Sequence, residues 1–112
     1  MSGFNTLINI FICEDSIDGI FTAIYMAWEE GTSHTDISCI FDAKNSNYSF
    51  FETYTYVKAD YNISNKVIRS IQQKLGDYEY SIIFRVINSN EPSKASVVYH
   101  SLQKLFKHGK EY

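Results

Sequence analysis

The residues able to carry chemistry in this 112-residue chain are three histidines, two cysteines and thirteen carboxylates, and their spacing argues against most of what such residues do. His100 and His108 stand two helical turns apart, not at the i, i+4 spacing that points two imidazoles at one metal ion, and no carboxylate pair completes a zinc site with them or with His34. No metal and no cofactor is expected. Cys13 has Glu14 and Asp15 beside it, and their charges raise a thiol pKa rather than lower it. A nucleophile also needs a base and an orienting group close by, and the sequence names neither. Cys13 and Cys39 lie in apolar stretches without CxxC spacing, so both read as reduced, buried and cytosolic. The sequons at Asn47 and Asn62 then carry no weight. Glu29 and Glu30 point to different parts of a helix surface and read as solvated. No catalytic constellation emerges, and whether the chain belongs to an enzyme stays open.

Cations offer a second kind of chemistry. Lys66, Arg69 and Gln73 fall on one helical face, and His100, Lys104, Lys107 and His108 cluster further on, with Lys110 after them. Lys66, Arg69, Lys104, Lys107 and Lys110 are therefore candidates for contact with nucleic-acid phosphates, a contact that is sequence-independent and salt-sensitive. The alternative is a solvated face, since lysine near a helix C-terminus is favoured by the helix dipole alone. Tyr48, Tyr54, Tyr56 and Tyr61 could stack on single-stranded bases or occupy half-buried sheet positions. The net charge of −3 hides a split: residues 1–60 hold nine acids against two bases, and residues 61–112 hold four against eight. Such a split marks either a contact surface or two halves that attract each other.

The elements that must position these residues begin with an apolar, β-branched run, Leu7 to Ile12, suited to a strand buried on both faces. The period then changes to 3.6: Ile17, Ile20, Phe21, Ile24 and Trp28 make one helical face, with Asp15 or Ser16 as N-cap and Gly31 as the C-terminal stop. A strand running into a capped helix can bind phosphate. Here GxGxxG and GxxxxGK[ST] are both missing, and Glu14, Asp15 and Asp18 would repel an anion, so the turn reads as ordinary capping. Thr32 to Asp36 reads as a polar connection, Ile37 to Phe41 as a short strand, and Asp42 to Ser49 as a loop of turn formers. Phe51 to Val57 has strand propensity.

Beyond residue 60 the signals are helical. Ser64 can cap a helix that carries Val67, Ile68, Ile71 and Leu75 and ends at Gly76, with Ile63 and Ile68 as a hydrophobic staple. Tyr78 to Ile87 fits either a strand or a helix face. A last helix starts near Pro92, carries Ala95, Val98, Tyr99, Leu102, Leu105 and Phe106, and stops at Gly109. The fold expected is a small α+β domain: about three strands, an early helix and a helical second half. Residues 1–112 make one domain by length. No apolar run approaches the ~20 residues of a membrane span. The start has no basic n-region and no A-x-A-like cleavage site, so no signal peptide is expected. A cytoplasmic protein without membrane contact is the expectation. The apolar faces around Leu102 and Phe106, and around Ile82 and Val86, need cover, which a homodimer or a further C-terminal part would supply.

The stretch Asp15-Ser16-Ile17-Asp18-Gly19-Ile20-Phe21-Thr22-Ala23-Ile24-Tyr25 resembles the start of a bacterial family of DNA metabolism proteins, a domain of unknown function. Members open with a strand, a Tyr-Asp-Gly-Ser-like turn and a Gly-Leu-Leu-Thr-Ala-Ile-Phe-like helix. Lys66 to Leu75 is similar to the family's Val-x-x-x-Ile-x-x-Lys-Leu helix, and Tyr78 to Lys107, ending in His108-Gly109, to its later aromatic and leucine-rich helices. The chain departs at Cys13-Glu14-Asp15, where Tyr-Asp-Gly is common. The match spans nearly the whole chain but about the N-terminal half of a typical member. The resemblance makes Tyr78 to Ile87 a helix. It implies an accessory or interaction role in DNA metabolism or repair beside a radical-SAM protein, and some members are fused to a uracil-DNA-glycosylase-like domain. It hands over no catalytic residue. The alternatives are part of a nucleic-acid-modifying enzyme whose active site lies outside this stretch, or a structural homodimer.

Overall fold

The computed structural model describes residues 8–30, 34–39 and 52–109. Gly31, Phe41, the loop at 42–49, Phe51 and Lys110 lie outside these residues. The chain folds as a small α+β domain: β1 (Ile8–Cys13), α1 (Ile17–Glu30), β2 (Thr35–Ser38), β3 (Glu52–Val57), α2 (Tyr61–Lys74), α3 (Asp77–Ile87) and α4 (Lys94–Gly109). The three strands form one sheet in the order β2-β1-β3, parallel throughout. Parallel neighbours cannot be joined by a tight turn, and α1 is the crossover that carries the chain from β1 to β2. As the central strand, β1 is closed in at its C-terminal half, where Phe11, Ile12 and Cys13 are buried, while Ile8 is open at the other end.

Strand alternation assigns the faces. Phe11 and Cys13 share a side with Ile37 of β2 and Val57 of β3, and these four join the buried residues of all four helices in one core. Asn9 stands on the same side at the sheet's open end, where its Oδ1 accepts from Thr53 Oγ1 at 3.1 Å and Thr55 Oγ1 at 3.4 Å. β2 runs Thr35–Ser38 where the sequence suggested a start at Ile37, so Thr35 and Asp36 belong to the sheet rather than to the connection before it. Thr35 is β-branched, and pairing opposite Asn9 buries it.

Ser16 caps α1: its Oγ accepts from the Gly19 N–H at 3.0 Å. Gly19 is required for packing, because a Cβ there would run into the Glu14 carbonyl. α2 begins four residues earlier than Ser64 as its cap would place it. Asp60 is its N-cap, with Oδ1 accepting from Asn62 N at 2.9 Å and Ile63 N at 3.1 Å. Ser64 is instead a fully buried interior residue whose hydroxyl has no hydrogen-bond partner. Asp60 prevails because it is held at both ends: the Thr22 hydroxyl of α1 accepts from Asp60 N–H at 3.0 Å, and its own proton is shared by the carbonyls of Asp18 at 2.6 Å and Asp60 at 3.2 Å. α2 and α3 are separated by Gly76, whose φ of 99° is costly for any residue with a side chain. Tyr78 to Ile87 is helical throughout, as α3. On α4 the buried face is Ala95, Val98, Tyr99 and Leu102, with Phe106 half-buried and Leu105, placed on that face by its spacing, 39% exposed. No helix among the described residues is long and apolar enough to cross a membrane.

Thr22 supplies a direct test of the α1–α2 joint. Thr22→Val keeps the shape but leaves the Asp60 N–H without its acceptor, and should lower stability by roughly 1–3 kcal/mol in urea unfolding. Thr22→Ser, which keeps the hydroxyl, should lose less.

Candidate functional site

A cleft among the described residues has the size of a ligand site. It lies where α1, α2 and α4 converge and encloses about 520 Å³, within the ~300–1,000 Å³ typical of small-molecule and cofactor sites. α1 supplies Tyr25 and Trp28, one turn apart. α2 supplies Lys66, Ser70 and Lys74, at i, i+4 and i+8, with Val67 as a buried floor. α4 supplies Gln103 and Phe106, again one turn apart. Each helix thus lends a short stripe along one edge, which helical spacing produces without any irregular backbone.

The floor is aromatic. The Trp28 and Phe106 rings stand 5.3 Å apart between centroids at 53°, a tilted pair of the kind that adds ~0.5–1.5 kcal/mol beyond area burial. The Lys74 ammonium lies over Phe106, 5.7 Å from the ring centroid, close enough for attraction to the ring face. Gln103 Nε2 donates to the buried Tyr99 hydroxyl at 3.1 Å, which fixes the amide at the cleft wall. Burial pushes the Tyr99 hydroxyl above its ordinary pKa, with the Asp36 carboxylate adding to the shift, so it stays a neutral hydrogen-bonding group. Among the described residues lining the cleft there are two lysines and no acid. The arrangement can therefore hold a planar or apolar group against Trp28 and Phe106 while an anionic group meets Lys66 and Lys74. Among the described residues of the lining there is no carboxylate, histidine or cysteine, and no grouping of three metal-ligating side chains occurs among the described residues.

Of the five cations singled out by sequence, the structure brings Lys66 to this cleft. Arg69 on α2 and Lys104 on α4 are exposed and lie outside the lining. Lys107 falls in the last turn of α4, and Lys110 lies outside the described residues. Lys74 was missed, although the Lys66–Ser70–Lys74 repeat was there to be read; its place in the last turn of α2 makes it look like a dipole-compensating residue. His100 is directed to the sheet, with Nε2 3.3 Å from Asp36 Oδ1 of β2. The acidic turn before α1 is also engaged: Asp15 Oδ1 meets the buried Lys94 ammonium at 2.7 Å, and Lys94 donates to the Ser89 carbonyl at 2.9 Å. Asp15 thus joins the turn before α1 to the start of α4, and Ser16 caps the helix.

The aromatic floor is expected to behave as a coupled pair. In a double-mutant cycle of Trp28→Leu and Phe106→Leu, the two losses of stability should differ from additivity by roughly 0.5–1.5 kcal/mol in chemical unfolding.

Compared with protein-family models, with curated proteins and with solved structures, the chain matches none.

Proposed function

We propose that the chain is an accessory protein of DNA metabolism or repair that binds single-stranded nucleic acid in the cleft between α1, α2 and α4, and that it acts beside a radical-SAM partner. The observation that carries the binding reading is the pairing of Trp28 and Phe106 with Lys66 and Lys74 in one cleft. Bases stack on aromatic side chains with little regard for sequence, and flanking lysines track the backbone. The resemblance of Asp15–Tyr25 and Lys66–Leu75 to the DNA metabolism family supplies the cellular setting and the partner.

Trp28 is the chain's single tryptophan, so its fluorescence reports on the cleft directly. An oligothymidylate titrated into the protein at low salt should quench it saturably. Two phosphates meeting Lys66 and Lys74 should give a slope of about −1.4 in log K against log salt. Phe106→Ala should weaken binding by roughly fivefold to a hundredfold, the worth of one stacked base. Lys66→Glu/Lys74→Glu should abolish the salt dependence along with the binding. An unquenched Trp28, or the same quenching in the double charge reversal, would remove this reading.

A separate observation favours the homodimer. Between α3 and α4 a groove of about 220 Å³ is lined by Ile82, Val86, Val97 and Leu105, and Ile82, Val97 and Leu105 are each about 40–50% exposed. If two copies bury this groove against each other, light scattering should give a dimer at micromolar concentration that is insensitive to salt, and Val97→Lys should return a folded monomer.

A further inference from the structure

A second cluster lies apart from the cleft, at the carboxyl ends of β1 and β2. Cys13 is the last residue of β1, and Cys39 follows β2 directly. The register pairs Phe11 with Ile37 and Ile12 with Ser38, so the next step sets Cys13 opposite Cys39. Neighbouring strands lie about 4.8 Å apart, inside the ~4.4–6.8 Å Cα separation that a disulfide spans. Both cysteines are free thiols, with Sγ atoms 3.9 Å apart. The approach from contact to a bond of ~2.05 Å is a matter of side-chain rotation.

The two thiols are not equivalent. Cys13 is 5% exposed and belongs to the core, whereas Cys39 is half-buried and opens on a hollow of about 220 Å³ lined by Asp15, Ser89, Glu91, Pro92 and Lys94. The two sulfurs are in hydrogen-bonding contact, and either can donate to the other. That contact, above all, holds Cys39 below the ordinary thiol range, with the Lys94 ammonium helping and burial and Asp15 opposing. The same contact, followed by burial, raises Cys13. Cys39 is the accessible sulfur with the greater thiolate character, and Cys13 waits behind it. Among its described lining residues the hollow carries the carboxylates of Asp15 and Glu91 against the ammonium of Lys94, which suits a neutral reactant better than an anionic one.

We propose that Cys13 and Cys39 form a dithiol site that exchanges with small neutral disulfides entering by the Asp15–Lys94 hollow. The Cys39 thiolate attacks one sulfur of the disulfide. The S–S bond breaks, and the first thiolate leaves, taking up the proton that Cys39 released. Cys13 then gives up its proton and attacks Cys39 Sγ, breaking the mixed disulfide. The second small thiol leaves with that proton. Two electrons pass from the protein to the small disulfide, and the bond that remains ties β1 to β2.

The test equilibrates the purified chain with 2-mercaptoethanol and hydroxyethyl disulfide at ratios from reducing to oxidising, followed by alkylation and intact-mass measurement. Wild type should pass from two alkylated thiols to none without retaining a mercaptoethanol adduct. Cys13→Ser should stop at one mixed disulfide, mapped to Cys39, and Cys39→Ser should keep Cys13 reduced. Two free thiols persisting at the most oxidising ratio, a stable adduct on wild type, or a bond to a second chain would overturn the proposal. Should a variant fail to fold, timed alkylation of the reduced wild-type chain decides instead. Cys39 should be modified at least about tenfold faster than Cys13, and equal rates would count against the site.

Discussion

The hydroxyl of Thr22 takes the backbone N–H of Asp60 and so fixes where α2 starts and how it crosses α1. The rest of the functional surface depends on that joint. Lys66, Ser70 and Lys74 can line a cleft with Trp28 only if α2 starts at Tyr61 and runs beside α1. Ser64, small and fully buried, lets the two helices lie close, and the price is a hydroxyl without a partner. A helix capped by Ser64 would lack its first turn, and its footing on Thr22 with it.

The charge split between the halves of the chain resolves partly into internal attraction. Asp15 of the acidic half holds Lys94 of the basic half, and Asp36 meets His100. Both contacts seat α4, one at its first residue and one in its middle. Not all the cations are consumed in this way. Lys66 and Lys74 remain exposed on α2 beside an aromatic floor, where their charge can meet a ligand rather than another part of the fold.

What sequence reveals here follows the range of the interactions involved. Periodicity and local capping chemistry place α1 and α4 within a few residues, because the information lies within a turn or two of each boundary, whereas the residues of α3 suit a strand or a helix equally. The start of α2 escapes such reading, since Asp60 and Ser64 are both competent caps and the choice is made by Thr22, 38 residues away. β2 slides toward Thr35 for a similar reason: its partner is Asn9, and a strand's register depends on its neighbour. Lys66 was legible as a charged helix position, yet its meeting with Trp28 and Phe106 needs three helices at once. The nearness of Cys13 and Cys39 is likewise a product of parallel pairing, since 26 residues separate them along the chain.

The sheet order also bears on how the protein comes to be folded. The central strand is the first of the three to be synthesised, and its last neighbour, β3, lies 44 residues further on, as the span from Asn9 to Thr53 measures. A ribosome adding about 5–20 residues each second leaves β1 with one empty flank for some seconds after it is made. α1 can cover one of its faces early, since it follows at once, but the flank toward β3 stays open until that strand arrives. Pairings of such separation form late and slowly, because loop closure precedes any gain from the contact. The interval exposes Ile10, Phe11 and Ile12 together, and it is during synthesis, more than in the finished fold, that this chain is most prone to pair with the wrong strand.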